Sequence, residues 1–207
     1  GTGMSVRTAV LVSGGGTNLQ ALIDASRAGK MPHVDICLTL SNRADAYALQ
    51  RAERSSIPSA VCQREKGEAR EAFEARMLDI LRAHDVEMLI LAGFMAILSK
   101  EFVQNYPDRI LNVHPSLIPS FCGKGFYGLH VHEAALAYGV KVTGATVHLV
   151  NEIPDGGRIL LQKAVEIEPG DTPEALQRRV MEQAEWQLLP RAAEMVAKEL
   201  EEKRCRN

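Results

Sequence analysis

The sequence predicts an α/β fold: an open, mostly parallel, twisted sheet of about seven strands, flanked by helices, with an antiparallel strand addition near the C-terminus and a long C-terminal helix. Three observations predict it. Short apolar runs rich in Val, Ile and Leu alternate with helical segments through the first half of the chain, as strands joined by right-handed crossovers do. The run VEMLILA at 86–92 is as continuously apolar as a strand buried on both faces requires. Beyond residue 140 two strand-like runs follow each other directly, joined only by NEIPDGG, which suits a hairpin-like pair added to a parallel sheet.

Residues 7–13 (RTAVLVS) make the first predicted strand. A glycine turn follows, then a helix with Leu19, Leu22 and Ile23 in its apolar stripe, closed by Gly29. Residues 34–41 are a strand, 44–54 a helix and 60–62 a brief strand. Residues 68–84 read as an amphipathic helix carrying Phe73, Met77, Ile80 and Leu81 on one face. After the central strand, 99–105 is a short helix with Ser99 as N-cap, and 109–113 a fifth strand. Residues 121–128 (FCGKGFYG) form a glycine-rich surface loop and 130–138 a helix. Strands at 142–150 and 158–167 precede a helix over 171–202, capped by Asp171 or Thr172 and kinked at Pro190. The sum is a Rossmann-like architecture in one domain over 4–207, with residues 1–3 before Met4 read as a tag remnant.

Composition narrows the function. The net charge of −2 gives no basic surplus for nucleic acid. No apolar run reaches the ~18 residues of a membrane span, and no signal-peptide pattern opens the chain. Cys37, Cys62, Cys122 and Cys205 are scattered without a C-x-x-C pair, which argues for a reducing cytoplasm without disulfide framework or zinc.

Four stretches carry candidate chemistry. Gly14-Gly15-Gly16-Thr17-Asn18 turns from a strand into a helix, where free N–H groups and the helix dipole favour a phosphate. Leu19 breaks the dinucleotide pattern G-x-G-x-x-G, and no Gly-Lys-Ser/Thr follows, so a single phosphate monoester fits better. The bland alternative is a tight turn with Thr17 or Asn18 as N-cap. In ILNVHPSLIPS, Asn112 and His114 stand two apart and point the same way at a strand end. Pro115 ends the ladder, and with Pro119 it stiffens the exit. An amide and an imidazole so held suit work on a carbonyl; the alternative is a turn cap and a structural histidine. Asp155-Gly156-Gly157 offers an acid to charge His114 or order a water, or else an ordinary hairpin turn. Met95–Leu98, in AGFMAIL, leaves the central strand and offers an apolar slot for a flat ring, or else plain core. The pair His130 and His132 lacks a third metal ligand, so no metal is expected. His148 reads as core or a satisfied polar contact, His33 and His84 as solvent-facing. Cys122 has no base beside it in sequence and is discounted as a nucleophile.

Together, SGGGTNLQ, AGFMAILS, ILNVHPSLIPSF, GATVHLVNEIPDGG and Ala184-Glu185 resemble one family, phosphoribosylglycinamide formyltransferase, the folate-dependent formyl-transferring enzyme of purine biosynthesis. The likeness runs in order over residues 6–196. It implies that Asn112, His114 and Asp155 are catalytic. It implies that Gly15, Gly16, Thr17, Asn18, Pro115 and Glu185 bind the phosphoribosyl substrate. The folate residues it implies are Arg70, Met95, Ala96, Ile97, Leu98, Asn112, Asn151, Glu152, Ile153, Pro154 and Asp155. The half over about 4–105 would serve the nucleotide and that over about 106–203 the folate and catalysis.

The implied reaction passes the formyl group of the co-substrate N10-formyltetrahydrofolate directly to the amine of glycinamide ribonucleotide, through a tetrahedral intermediate. Metal, nucleic acid and membrane take no part, and the expected protein is a cytoplasmic monomer or homodimer. Ala96 departs from the M-R-I-L loop of many relatives. The loop after Pro119 is longer than their short form, which makes Lys124, Phe126 and Tyr127 a lid or a substrate-side wall. The alternatives are a tRNA formyltransferase catalytic domain, a formyltetrahydrofolate deformylase and a non-catalytic nucleotide-binding module.

Overall fold

A computed structural model describes residues 5–206; residues 1–3, read as a tag remnant, lie outside them. Seven strands form one sheet in the order β3-β2-β1-β4-β5-β6-β7. They are β1 (Val6–Val12), β2 (Val34–Ser41), β3 (Ser59–Val61), β4 (Met88–Leu91), β5 (Ile110–His114), β6 (Val142–Leu149) and β7 (Ile159–Glu166). The first five pair in parallel, and β6 and β7 add antiparallel.

Strand alternation divides the core into two layers. Val6, Val10 and Val12 of β1, with Met88 and Ile90 of β4, face α1 (Thr17–Arg27) and the C-terminal helices. Ala9, Leu11, Leu89 and Leu91 face α3 (Arg70–Ala83) and α4 (Lys100–Val103). Both faces of β4 are covered, which explains its unbroken apolar run. In β5, Leu111 and Val113 join the first layer and Ile110 the second. Asn112 and His114 therefore leave the sheet on the side of α3 and α4.

Two expectations change. The helix expected at 44–54 is α2 (Ala48–Arg54) only; the chain before it turns through an Arg43–Asp45 ion pair, and the Ala48 N–H is held by the Gly14 carbonyl. β4 is four residues rather than seven, because β1 and β5 offer it partners over that length alone. The C-terminal segment follows α5 (Leu129–Tyr138) and the β6–β7 pair, and it is a continuous helical run, as expected, with one irregular turn before its proline. Thr172 Oγ1 caps α6 (Pro173–Val180) at the Ala175 N–H. A single π-helical turn, Met181–Glu185, then leads into α7 (Trp186–Arg206), which contains Pro190. Pro190 has no N–H to offer the carbonyl of Trp186 four residues back, and the irregular turn ends where that ladder is interrupted.

Candidate active site

The chain winds outward from β1 through β2 to β3, then returns to β4 and continues to β5 on the other side. The C-terminal ends of β1 and β4 thus flank a topological switch point, where open α/β sheets hold ligands. Three candidate stretches leave the sheet there: the glycine turn after β1, the 93–98 loop after β4, and the end of β5. Ser13 links the first two: its Oγ donates to Asn42 Oδ1 at 2.6 Å and accepts from the Met95 N–H at 2.8 Å.

In the glycine turn, Gly16 is the N-cap of α1, at φ 76°. A Cβ there would lie 2.6 Å from the Cβ of Ala48, so the position needs glycine twice over. Neither Thr17 nor Asn18 caps the helix: α1 begins at Thr17 with no side-chain cap and no acid in its first turn. Its first N–H groups are left for an outside acceptor. The Asn18 side chain instead donates to Glu185 Oε1 at 3.4 Å. Glu185 is 5% exposed, and its burial pushes the carboxyl up to about 7 against the opposing hydrogen bond from Asn18. The π-helical turn carries it to this place beneath α1.

Asn112, His114 and Asp155 converge. In the antiparallel register Asn112 stands opposite His148 and His114 opposite Thr146. His114 is almost fully buried, and its Nε2 lies 2.7 Å from the Phe121 carbonyl. A carbonyl only accepts, so Nε2 carries the proton and Nδ1 faces Asp155 Oδ2 at 3.7 Å, an ion-pair rather than a hydrogen-bond distance. The other carboxylate oxygen lies 3.5 Å from His148 Nε2. That nitrogen is also 3.4 Å from the Asn112 amide nitrogen, while His148 Nδ1 is spent on the Leu149 carbonyl. Burial disfavours the Asp155 charge. Hydrogen bonds from His148 and the Gly123 N–H, with the charges of the two histidines, outweigh it and hold the carboxyl below the usual range.

Asp155 reaches this position at φ 53°, a strained setting for a non-glycine residue. Behind it, a Cβ on Gly157 would fall 1.7 Å from the Leu149 carbonyl, so only glycine lets the loop close onto β6. The exit from β5 is tied rather than merely stiff. Thr146 Oγ1 donates to the Ser116 carbonyl and accepts from the Ile118 N–H, and Ser116 Oγ donates to the Ser120 carbonyl. Pro115 is half-buried in this exit.

On the adjoining rim, Met95 (64% exposed), Ile97 (75%) and Ile153 (57%) leave apolar surface open to solvent. Ala96 and Leu98 are half-buried, and Leu98 packs on the second core layer with Phe94. Asn151 Oδ1 accepts from the Ile153 N–H at 2.9 Å and shapes the loop that also carries exposed Glu152 and Pro154. Arg70 begins α3, exposed, one turn before Glu74. The Glu74 carboxylate binds the N–H and hydroxyl of Ser99, fastening that end of α3 beside the 95–98 loop.

A formyl transferase family model matches residues 6–193. The chain belongs to the formyl transferase family. Within the family it is 42% identical to the phosphoribosylglycinamide formyltransferase of Haemophilus influenzae, over 89% of this chain and 84% of that one. It is 43% identical to the trifunctional purine biosynthetic protein adenosine-3 of Gallus gallus over 93% of this chain, but spans only 18% of that protein's length. Among solved structures, glycinamide ribonucleotide transformylase 1 of Symbiobacterium toebii superposes with a TM-score of 0.87 at 40% identity, over 95% of this chain and 89% of that one. The likeness of this formyl transferase to that solved structure thus extends over nearly the whole chain and not to one motif.

Several side chains stand elsewhere than the sequence suggested. His148 is a buried, satisfied polar residue, as expected, but its partners include Asn112 and Asp155, which ties it to the site; the antiparallel register that puts it opposite Asn112 is what brings it there. The 121–128 loop lies at the surface, as expected, but its start belongs to the site, because the Phe121 carbonyl and Gly123 N–H hold His114 and Asp155. Phe121 stacks edge-on against Phe126 and Tyr138. His33 is only part-exposed: its two ring nitrogens meet Glu194 at 2.6 Å and Glu201 at 3.4 Å. His84 is half-turned inward, its Nδ1 on the Ile80 carbonyl. His130 is exposed beside Glu133, whereas His132 is buried with neither ring nitrogen partnered among the described residues. Burial, with the charge of His114, pushes His132 down to about 4. Burial also raises the Cys122 thiol, which makes it a poorer nucleophile.

Proposed function

We propose that this formyl transferase passes the formyl group of N10-formyltetrahydrofolate to the glycine amine of glycinamide ribonucleotide. The observation that carries this reading is the meeting of Asn112, His114 and Asp155 at the end of β5, between an anion-ready glycine turn and an exposed apolar rim. The named activities of the full-length relatives support it.

The residues fit the two substrates. The turn of Gly15, Gly16, Thr17 and Asn18 offers N–H donors to a phosphate, and Glu185 and Pro115 border the ribose side. The ring of the folate would lie on Met95, Ile97, Leu98 and the 151–155 loop, with Arg70 toward its acidic tail. Bound there, the folate supplies an activated formyl carbon. The Asn112 amide donates to the formyl oxygen as it takes up negative charge, and His114 stabilises the same charge as an imidazolium. Asp155 holds that imidazolium, or orders the water that carries the amine's proton to the departing nitrogen. No side chain bonds covalently to the formyl group, and positioning two substrates supplies much of the acceleration. In this reading the half over about 4–105 serves the nucleotide and that over about 106–203 the folate, within one domain.

The experiment follows tetrahydrofolate release. Release that requires glycinamide ribonucleotide, with the formylated nucleotide as product, is the expected result. Release without any acceptor would instead indicate a deformylase, and formylation of methionyl-tRNA a tRNA formyltransferase.

A further inference from the structure

The peptide groups of the glycine turn are oriented from behind. The Gly14 carbonyl accepts from the Ala48 N–H at 2.9 Å, and the Gly15 carbonyl from Arg51 Nε at 2.7 Å. In a trans peptide the N–H points opposite to the C=O. Drawing these two carbonyls back onto α2 therefore turns the N–H groups of Gly15 and Gly16 outward, beside the free N–H groups that open α1. Neither of those two N–H groups has an acceptor among the described residues.

Arg51 is itself fixed. Its Nη1 lies 3.3 Å from Gln20 Oε1, and its guanidinium sits 5.0 Å over the Tyr47 ring. Its Cδ would also be 3.2 Å from a Cβ at Gly16, so it packs directly under the turn. No carboxylate pairs with it among the described residues. Its shortest hydrogen bond among the described residues is the one to the turn, so the guanidinium is held against the turn with its charge not neutralised by a carboxylate there.

We infer that Arg51 is a positioning residue for the substrate's phosphate: it sets the Gly15–Gly16 peptide so that its N–H faces the phosphate, and it adds an unpaired positive charge behind the turn. This role rests on the function proposed above, and the test separates the two. In steady-state kinetics Arg51→Ala raises the KM for glycinamide ribonucleotide about tenfold or more, the loss expected for one charge-assisted contact. The kcat and the KM for the folate stay near their starting values. With the unphosphorylated riboside as acceptor at high concentration, the variant and the parent react alike. Arg51→Lys keeps the charge but not the fork, and recovers less than half of the loss.

Wild-type protein that never formylates glycinamide ribonucleotide overturns the proposed function. Wild-type protein that does so, beside an Arg51→Ala variant with unaltered nucleotide KM or with equal losses toward both substrates and the riboside, overturns the role of Arg51 alone. Full recovery in Arg51→Lys overturns its positioning of the peptide. Thermal midpoints show that both variants remain folded.

Discussion

Asn112, His114 and Asp155 each carry a distinct part of the proposed chemistry, so each should fail in its own way. Asn112→Ala should lower kcat by roughly 10²- to 10³-fold, the usual cost of losing an oxyanion donor, with little change in thermal midpoint. Asp155→Asn removes the charge that faces both His114 and His148, and its kcat should fall with the pH dependence of turnover altered. Near-normal turnover in either variant would remove that residue from the mechanism. Two other buried groups link protonation to stability with opposite signs. Glu185, held at about 7, binds its proton more tightly folded than unfolded, so its contribution is present at low pH and is lost as pH rises between about 4.5 and 7. His132, held at about 4, is buried neutral, so stability is lost as pH falls from about 6.5 to 4. Each is worth on the order of 3 kcal/mol at its limit. Glu185→Gln should therefore leave a protein that weakens monotonically toward acid in urea titrations, and His132→Asn one that strengthens from pH 7 toward 5.

At the scale of elements, the site depends on how strands end and loops return. Gly157→Ala would drive a Cβ into the Leu149 carbonyl. The 151–157 loop would have to lift from β6, taking Asp155 away from His114. The expected outcome is loss of turnover by an amount similar to Asp155→Asn, together with a lowered thermal midpoint; a variant with normal kcat would show that the loop adapts. Thr172→Ala removes the cap of α6, and should cost about 1 kcal/mol in chemical denaturation while leaving turnover unchanged. The helix periodicity and cap signals were legible at this scale: Ser99 caps α4 by accepting from the Phe102 N–H, as expected from its place before an apolar run. The π-helical turn was not legible, because nothing in the local pattern of residues 181–185 distinguishes it from an ordinary helical turn.

At the scale of the whole molecule, one sheet with both faces covered holds the three loops in register. Ile90 stands at its centre, fully buried between Val10 of β1 and Leu111 of β5. Ile90→Ala should cost roughly 2 to 5 kcal/mol by the loss of burial and the cavity left behind. If the residual protein stays folded, its kcat should fall less than its stability does, which paired unfolding and kinetic measurements would show. A large loss of kcat in a fully folded variant would mean that the core transmits strain into the site.

The sequence by itself determined the fold class, the order of the strands and helices, and the Asn-x-His platform, since these follow from periodicity two, periodicity 3.6 and proline's missing N–H. It also placed a glycine turn between the first strand and its helix, whereas the need for glycine at Gly16 itself comes from its positive φ and from Ala48 packed against it. Only the tertiary structure decided that Asp155 reaches His114, because they lie 41 positions apart and a loop closure over β6 brings them together. It alone decided that His148 and the Phe121 carbonyl join them, and that Glu185 lies beneath Asn18. Contacts of that range are set by strand register and by helix packing. Neither is written in any local stretch of residues, which is why the glycine turn could be read as a phosphate site while Arg51, fixed behind it from the next helix, could not.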